Sequence, residues 1–170
     1  MQAGHNALKV RAATGADVPS VDALLARAYP RLLKADYAPS MMVLALPLIS
    51  RAKPALVTCG TYYVVEQNGA IIGAGGWTRA APGRGVARPG IGNIRHVVTD
   101  DRQVRRGVGR ALMGHILAEA KAAGMIRLDC LSTLTARKYY QAMGFVATGP
   151  VMVPLADGID FPAIAMRRDL

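Results

Sequence analysis

Apolar and polar residues alternate through Leu8-Lys-Val-Arg-Ala, which predicts a short first strand over 8–12. Thr14 and Asp17 form a variant of the capping box and open a helix. Val21, Leu24, Leu25 and Ala28 fall on one face of that helix, and Pro30 is expected to end it. A second, apolar helix is predicted over 40–50, with Pro47 as a possible kink. The Tyr- and Val-rich stretch 61–66 reads as a strand, and Asn68-Gly69 is a strong hairpin turn. The returning strand covers 70–78, where Gly73, Gly75 and Gly76 limit side-chain bulk.

A glycine- and arginine-rich connection over 79–92 follows and is expected to be flexible. In the strand 93–99, simple alternation puts Ile94, His96 and Val98 on one face and Arg95, Val97 and Thr99 on the other. Val108, Leu112, Ile116 and Ala120 recur every four residues in a helix over 107–123, with Gly124 as its stop. A strand is predicted over 126–131. A helix over 133–143 carries Ala136, Tyr139, Tyr140 and Met143 on its apolar face and stops at Gly144. Two last strands are predicted over 145–153 and 160–167.

This order describes one α/β domain spanning 1–170: a mixed, mostly antiparallel central sheet with flanking helices. The length, 170 residues, suits one domain, and a 52% hydrophobic fraction suffices for a core. Residues 1–7 are polar, lack a signal-peptide core and are expected to be disordered. The longest apolar run, 41–49, is about half a membrane span. Cys59 and Cys130 show neither a disulfide framework nor metal spacing, and both are expected to be buried thiols in a reducing compartment. These features predict a cytoplasmic protein without membrane association.

Charge changes the picture. The formal net charge is +10, and residues 79–110 alone hold net +6, with every basic group there an arginine. The eight are Arg79, Arg84, Arg88, Arg95, Arg102, Arg105, Arg106 and Arg110. Arginine presents a planar fork of donors that suits phosphate oxygens. Four of them, Arg102, Arg105, Arg106 and Arg110, flank the Gly-x-Gly of the run Val104-Arg-Arg-Gly-Val-Gly-Arg110, set between a strand and an amphipathic helix. A helix start offers unpaired N–H groups and partial positive charge, so the run suits a phosphate or pyrophosphate. The Walker pattern is absent, and the dinucleotide fingerprint fails because Leu112 stands where its third glycine belongs.

The run resembles the coenzyme A loop of the GNAT acyltransferases, Gln/Arg-x-x-Gly-x-Gly/Ala. The segment from Ser132 through Tyr139-Tyr140 to Gly144-Phe145 is similar to that family's Asn-x-x-Ala-x-x-(Phe/Tyr)-Tyr-x-x-x-Gly-Phe helix. The opening 10–17 and the hairpin 65–73 also resemble it, so the likeness covers roughly 8–170. Departures are Val104 in place of Gln or Arg, Asp101 in place of a common proline, and Thr133 in place of Asn.

The resemblance implies a GNAT-like acyl-CoA acyltransferase fold and acetyl transfer from acetyl-CoA to an amine, with no metal. The pyrophosphate is then held by backbone N–H groups of Arg106, Gly107, Val108, Gly109, Arg110 and Ala111, with charge added by Arg105, Arg106 and Arg110. Thr133 joins the cofactor contacts. The pantetheine arm runs beside Val97, Val98 and Thr99, where a backbone N–H polarises the thioester carbonyl. Tyr140 is the candidate general acid for the leaving thiolate. Tyr139 points about 100° away on the same helix and is assigned to the core. The base stays open among Glu66, His96, Asp100 and an amine that arrives deprotonated; His96 and His115 read first as packed residues.

Two other classes compete: a basic nucleic-acid-binding module, and a non-catalytic acyl-CoA sensor of the same fold. Residues 78–138 contain no Phe, Tyr or Trp, which argues against nucleic acid as a partner because single-strand binders stack bases on aromatics. The intact glycines and Tyr140 argue against a decayed sensor. The expected partner is a small-molecule or peptide amine acceptor, and the resemblance is compatible with a homodimer. Arg79, Arg84, Arg88 and Arg95 are left to the acceptor side, which favours an acceptor with an acidic group beside its amine.

Overall fold

The computed structural model describes residues 7–83, 85–103 and 106–170, the Asp157 side chain excepted. Seven strands form one sheet: β1 (Lys9–Ala12), β2 (Tyr62–Gln67), β3 (Ala70–Thr78), β4 (Ile91–Thr99), β5 (Arg127–Thr133), β6 (Val146–Pro154) and β7 (Asp160–Asp169). Their order is β1-β2-β3-β4-β5-β7-β6, and only β4 and β5 run parallel. The helices are α1 (Val18–Leu33), α2 (Pro39–Ile49), α3 (Pro54–Val57), α4 (Val108–Ala122) and α5 (Arg137–Ala142). This is the mixed, mostly antiparallel sheet with flanking helices that the pattern predicts.

The sheet has helices on both faces, so its inner strands are buried on both. Along β2, Tyr63 and Val65 join a core with Leu112, Met113 and Ile116 of α4, while Tyr62 and Val64 join one with Val21, Leu24 and Leu25 of α1. Burying side chains of this size contributes about 1.5–3 kcal/mol each. A third cluster seats α2 against Phe161, with Tyr37 stacked on its ring at 4.5 Å. The β2–β3 turn has positive φ at both Asn68 (52°) and Gly69 (77°), the type I′ geometry that Asn-Gly favours.

Four expectations are corrected. Pro30 does not end α1, which runs on to Leu33. The carbonyl that loses its partner belongs to Ala26, which is exposed to solvent, and Leu33 is buried in the third cluster. Helix α5 begins at Arg137 rather than 133, because β5 pairs with β7 as far as Thr133 opposite Ala163. Cys59 is exposed; only Cys130 is buried. The faces of β4 also differ. Ile94 packs with the α4 core and Val98 with the α1 core, because the register slips between Ala74 and Gly76 at a bulge where His96 takes φ 49°.

Two buried carboxylates pin the chain around this sheet. Asp17 accepts from both terminal nitrogens of Arg11 at 2.8 Å, and these bonds hold its pKa at about 2. Burial alone would raise the pKa of Asp100, but hydrogen bonds from Arg102 and the charges of Arg27 and Arg102 pull it down to about 2. Both lie below the ordinary value of 3.8. Their contribution is therefore complete above that value and is lost as pH falls towards the folded one. Thermal stability is expected to be flat from pH 7 to about 5 and to fall steeply between about pH 4 and 2. Melting curves across that range check this.

Candidate active site

Strands β4 and β5 pair only at Ile91–Arg127, Gly92–Leu128 and Asn93–Asp129. Beyond that, β4 stays with β3 as far as Thr99–Gly73, and β5 stays with β7 as far as Thr133–Ala163. The sheet therefore splits into a fork. Because β4 and β5 are parallel, the fork opens towards their C-terminal ends. The chain leaving β4 there turns through Asp101–Gln103 into α4, so the N-terminus of α4 and the mouth of the fork share one end of the sheet. Ligands of sheets with parallel strands bind at that end.

The turn into α4 is built from the predicted glycines, for two different reasons. Gly107 is the N-cap at φ 82°, and an added Cβ would meet open space. Gly109 is needed for packing, since a Cβ there would lie 2.8 Å from the Tyr139 ring. The Tyr139 hydroxyl donates to the Gly109 carbonyl at 2.7 Å, which ties α5 to the first turn of α4. Tyr139 is thus a packing residue, as assigned.

Not every predicted donor is available at this helix start. The Ala111 N–H donates to Gly107 O (2.9 Å) and the Arg106 N–H to Gln103 O (3.2 Å), so neither can serve as an anion donor. Val108, Gly109 and Arg110 lie in the first turn, where N–H groups have no intrahelical acceptor. Arg102 is committed to Asp100 through Nε (3.2 Å) and Nη2 (3.0 Å). Val104 and Arg105 lie outside the described residues.

Along the fork, Val97, Val98 and Thr99 form the end of β4. The bulge brings Val97 against β3, where a Cβ on Gly75 would lie 2.7 Å from Val97 Cγ2; Gly75 is required there. Positive φ costs a residue such as His96 about 1–2 kcal/mol. Its Nε2 donates to the Ile49 carbonyl at 2.7 Å, which sets the tautomer and leaves Nδ1 unprotonated. Burial lowers the pKa of this ring, so it stays neutral. Thr133 acts within its own turn, where its hydroxyl accepts from Ala136 N–H (3.1 Å) and caps the entry into α5.

Tyr140 is 5% exposed, with its ring edge-on to Phe145 at 5.4 Å and its hydroxyl near the Cys130 thiol. Burial raises the pKa of Tyr140 well above the ordinary phenol value and pushes that of Cys130 up to about 12. Both groups stay protonated at neutral pH, so Tyr140 can donate a proton and not accept one. Cys130, read in the sequence only as a buried thiol, is thereby a neighbour of the candidate acid. It also lines a cavity of about 410 Å³ at the crotch of the fork, with Pro82, Asn93, Ile94, Asp129 and Arg167.

Both carboxylates considered as bases are engaged elsewhere. Glu66 pairs with Arg11 at 2.7 Å, and that bond lowers its pKa. Asp100, 1% exposed, is held by Arg27 and Arg102. His115 packs edge-on against Tyr63 at 4.6 Å. Of the arginines left to the acceptor side, Arg79 lies over Trp77 and donates to Ala123 O at the C-terminal end of α4, away from the fork mouth, and Arg95 donates to Thr78 Oγ1. Arg88 is exposed, and Arg84 lies outside the described residues. Among the described residues no helix is long and apolar enough to cross a membrane, and no cluster of three His, Cys, Asp or Glu side chains could hold a metal ion.

A forked mixed sheet with flanking helices and a helix N-terminus at its mouth is the architecture of an acyl-CoA acyltransferase. The family model for the acetyltransferase (GNAT) domain matches residues 58–147, and the chain belongs to that family. Solved structures agree on the fold. A GCN5-related N-acetyltransferase from Rhodopseudomonas palustris superposes with a TM-score of 0.71 at 18% identity, covering 100% of this chain and 99% of that one. The PaiA N-acetyltransferase of Thermoplasma acidophilum, solved with coenzyme A, gives 0.72 at 10% identity over 96% and 99% of the two chains. Ard1 from Thermoplasma volcanium gives 0.67 at 20% identity over 96% and 98%. No curated protein matches the sequence.

Proposed function

We propose that this protein transfers an acetyl group from acetyl-CoA to a primary amine by direct attack on the thioester. The observation that carries the reading is the shared position of the fork mouth and the α4 N-terminus. It gives one extended ligand both an anion site and a slot beside an unpaired strand edge. Val108, Gly109 and Arg110 N–H groups hold the pyrophosphate, with the Arg106 and Arg110 side chains adding charge. The pantetheine arm lies along Val97–Thr99. The amine lone pair attacks the carbonyl carbon, the oxyanion is met by a β4 N–H, and the C–S bond breaks. The thiolate leaves with the electron pair and takes a proton from Tyr140, which regains one from solvent to close the cycle. The amine proton goes to water, since Glu66 and Asp100 are held in ion pairs.

The acceptor enters from the cavity at the crotch. Asp129 is chelated there by Arg127 at 2.8 and 3.1 Å, whereas Arg167, opposite Asp129 in the strand register, is exposed. An acceptor with an acidic group beside its amine therefore suits the wall. The test is thiol release from acetyl-CoA across amino acids, aminoglycosides, polyamines and peptide N-termini. Acidic amines are expected to react best, and Arg167→Ala is expected to raise their KM roughly tenfold with kcat kept. Turnover of polycationic amines alone would contradict the acceptor class. Absence of acetyl-CoA binding by calorimetry, with binding of a nonspecific oligonucleotide, would overturn the whole reading.

A further inference from the structure

Two buried tyrosine hydroxyls converge on the β4 bulge. Tyr62 of β2, 0% exposed, donates to the His96 carbonyl at 2.9 Å. Tyr29 of α1 donates to the next carbonyl, that of Val97, at 3.0 Å. Successive carbonyls of a regular strand point in opposite directions. Here two in succession receive hydroxyls from side chains of one layer, because the positive φ of His96 turns the intervening peptide.

The consequence follows from peptide geometry. Asp100 N–H donates to Ile72 O at 2.8 Å, so Asp100–Ile72 is a hydrogen-bonded pair. Such pairs alternate along an antiparallel ladder, which makes Val98–Ala74 the next one. Thr99 then turns its N–H to the free edge of β4, the edge that faces the fork; Val97 lies in the bulge, where the alternation is broken, and its N–H is placed instead by the His96 carbonyl, which is turned to Tyr62 on the β3 side. A trans peptide holds its N–H opposite its C=O. Fixing the His96 carbonyl on Tyr62 therefore fixes the direction of the Val97 N–H. The neighbouring Val97 carbonyl would repel a developing oxyanion; Tyr29 occupies it.

We infer that Tyr62 and Tyr29 are positioning residues for acetyl transfer: Tyr62 aims the Val97 N–H at the thioester oxygen, and Tyr29 masks the neighbouring carbonyl. The inference rests on the acetyl-CoA reading above and adds to it the residues that orient the oxyanion donor. Neither tyrosine touches the substrate, and both act through β4. Burial raises the pKa of each phenol, so both remain donors over the working pH range.

The decisive variant is Tyr62→Phe, which keeps the ring in the core and removes only the hydroxyl. Two quantities are read beside a melting curve: kcat with a reactive amine, and affinities for acetyl-CoA and its thioether analogue S-ethyl-CoA, measured by calorimetry. The pair of ligands differs only at the carbonyl oxygen. The wild type is expected to prefer acetyl-CoA by roughly 3- to 10-fold, the worth of one hydrogen bond. Tyr62→Phe is expected to erase most of that preference and to lower kcat roughly tenfold, with S-ethyl-CoA affinity kept. Tyr29→Phe is expected to act in the same direction.

A wild type without the preference, or a Tyr62→Phe variant that keeps both preference and kcat, overturns the inference. So does a variant that loses affinity for both ligands equally, which marks the hydroxyl as structural. Failure of the parent reading looks different: the wild type then binds neither ligand.

Discussion

Tyr140→Phe is expected to lower acetyl-CoA turnover at saturating amine roughly 100-fold, with coenzyme A affinity within about twofold of the wild type. The phenylalanine ring preserves the edge-on contacts to Tyr139 (5.0 Å) and Phe145 (5.4 Å), so the wall of the fork stays in place. What disappears is a buried hydroxyl near the Cys130 thiol. Its neighbour is a sulfur, a weak acceptor, so the stability cost is small, about 1 kcal/mol or less. A large fall in kcat with a small fall in melting temperature identifies a proton donor. Unchanged turnover at saturation makes Tyr140 a packing residue and leaves the thiolate to be protonated by solvent.

The place of Tyr140 on a short helix was legible because its signal is local: an aromatic pair ahead of Gly144-Phe145, at a fixed separation from the glycine run. The face of α4 and the Asn68-Gly69 turn were legible for the same reason, since helix periodicity and turn chemistry are written within a few residues. What the sequence hid depends on pairing between distant segments. The bulge at His96 arises where β3 supplies Gly75 and Gly76, and simple alternation along 93–99 therefore assigned Ile94 and Val98 to one face. Tyr29 and Tyr62 read as ordinary core aromatics, because their role lies in which carbonyls they meet. Gly109 matched the loop pattern, yet its physical need is the ring of Tyr139, thirty positions on. The arginine excess divided likewise: Arg102 holds Asp100 and Arg79 covers Trp77, while Arg106 and Arg110 stay at the start of α4.

Asp100→Ala should show how far the proposed anion site depends on its foundation. Asp100 ends the ladder between β3 and β4, and the next residues turn into α4. Its carboxylate receives Arg27 Nη2 at 2.7 Å, Arg102 Nη2 at 3.0 Å, Arg102 Nε at 3.2 Å and the Arg102 backbone N–H at 2.9 Å. Alanine leaves two guanidinium groups and a peptide N–H without this acceptor. Breaking a fully buried pair costs about 3–5 kcal/mol. The Arg27 and Arg102 side chains are 34% and 62% exposed and recover water, so the expected loss is nearer 2–3 kcal/mol. In a chain of this size that lowers Tm by roughly 4–12 °C. Asp100→Asn keeps an acceptor for the backbone N–H and is expected to lose less. Because the same carboxylate joins α1 to the turn that presents Val108, Gly109 and Arg110, coenzyme A affinity is expected to fall about tenfold in Asp100→Ala, measured at a temperature where the variant is folded. A lower Tm with unchanged affinity would show that the α4 start holds its geometry through Tyr139 alone.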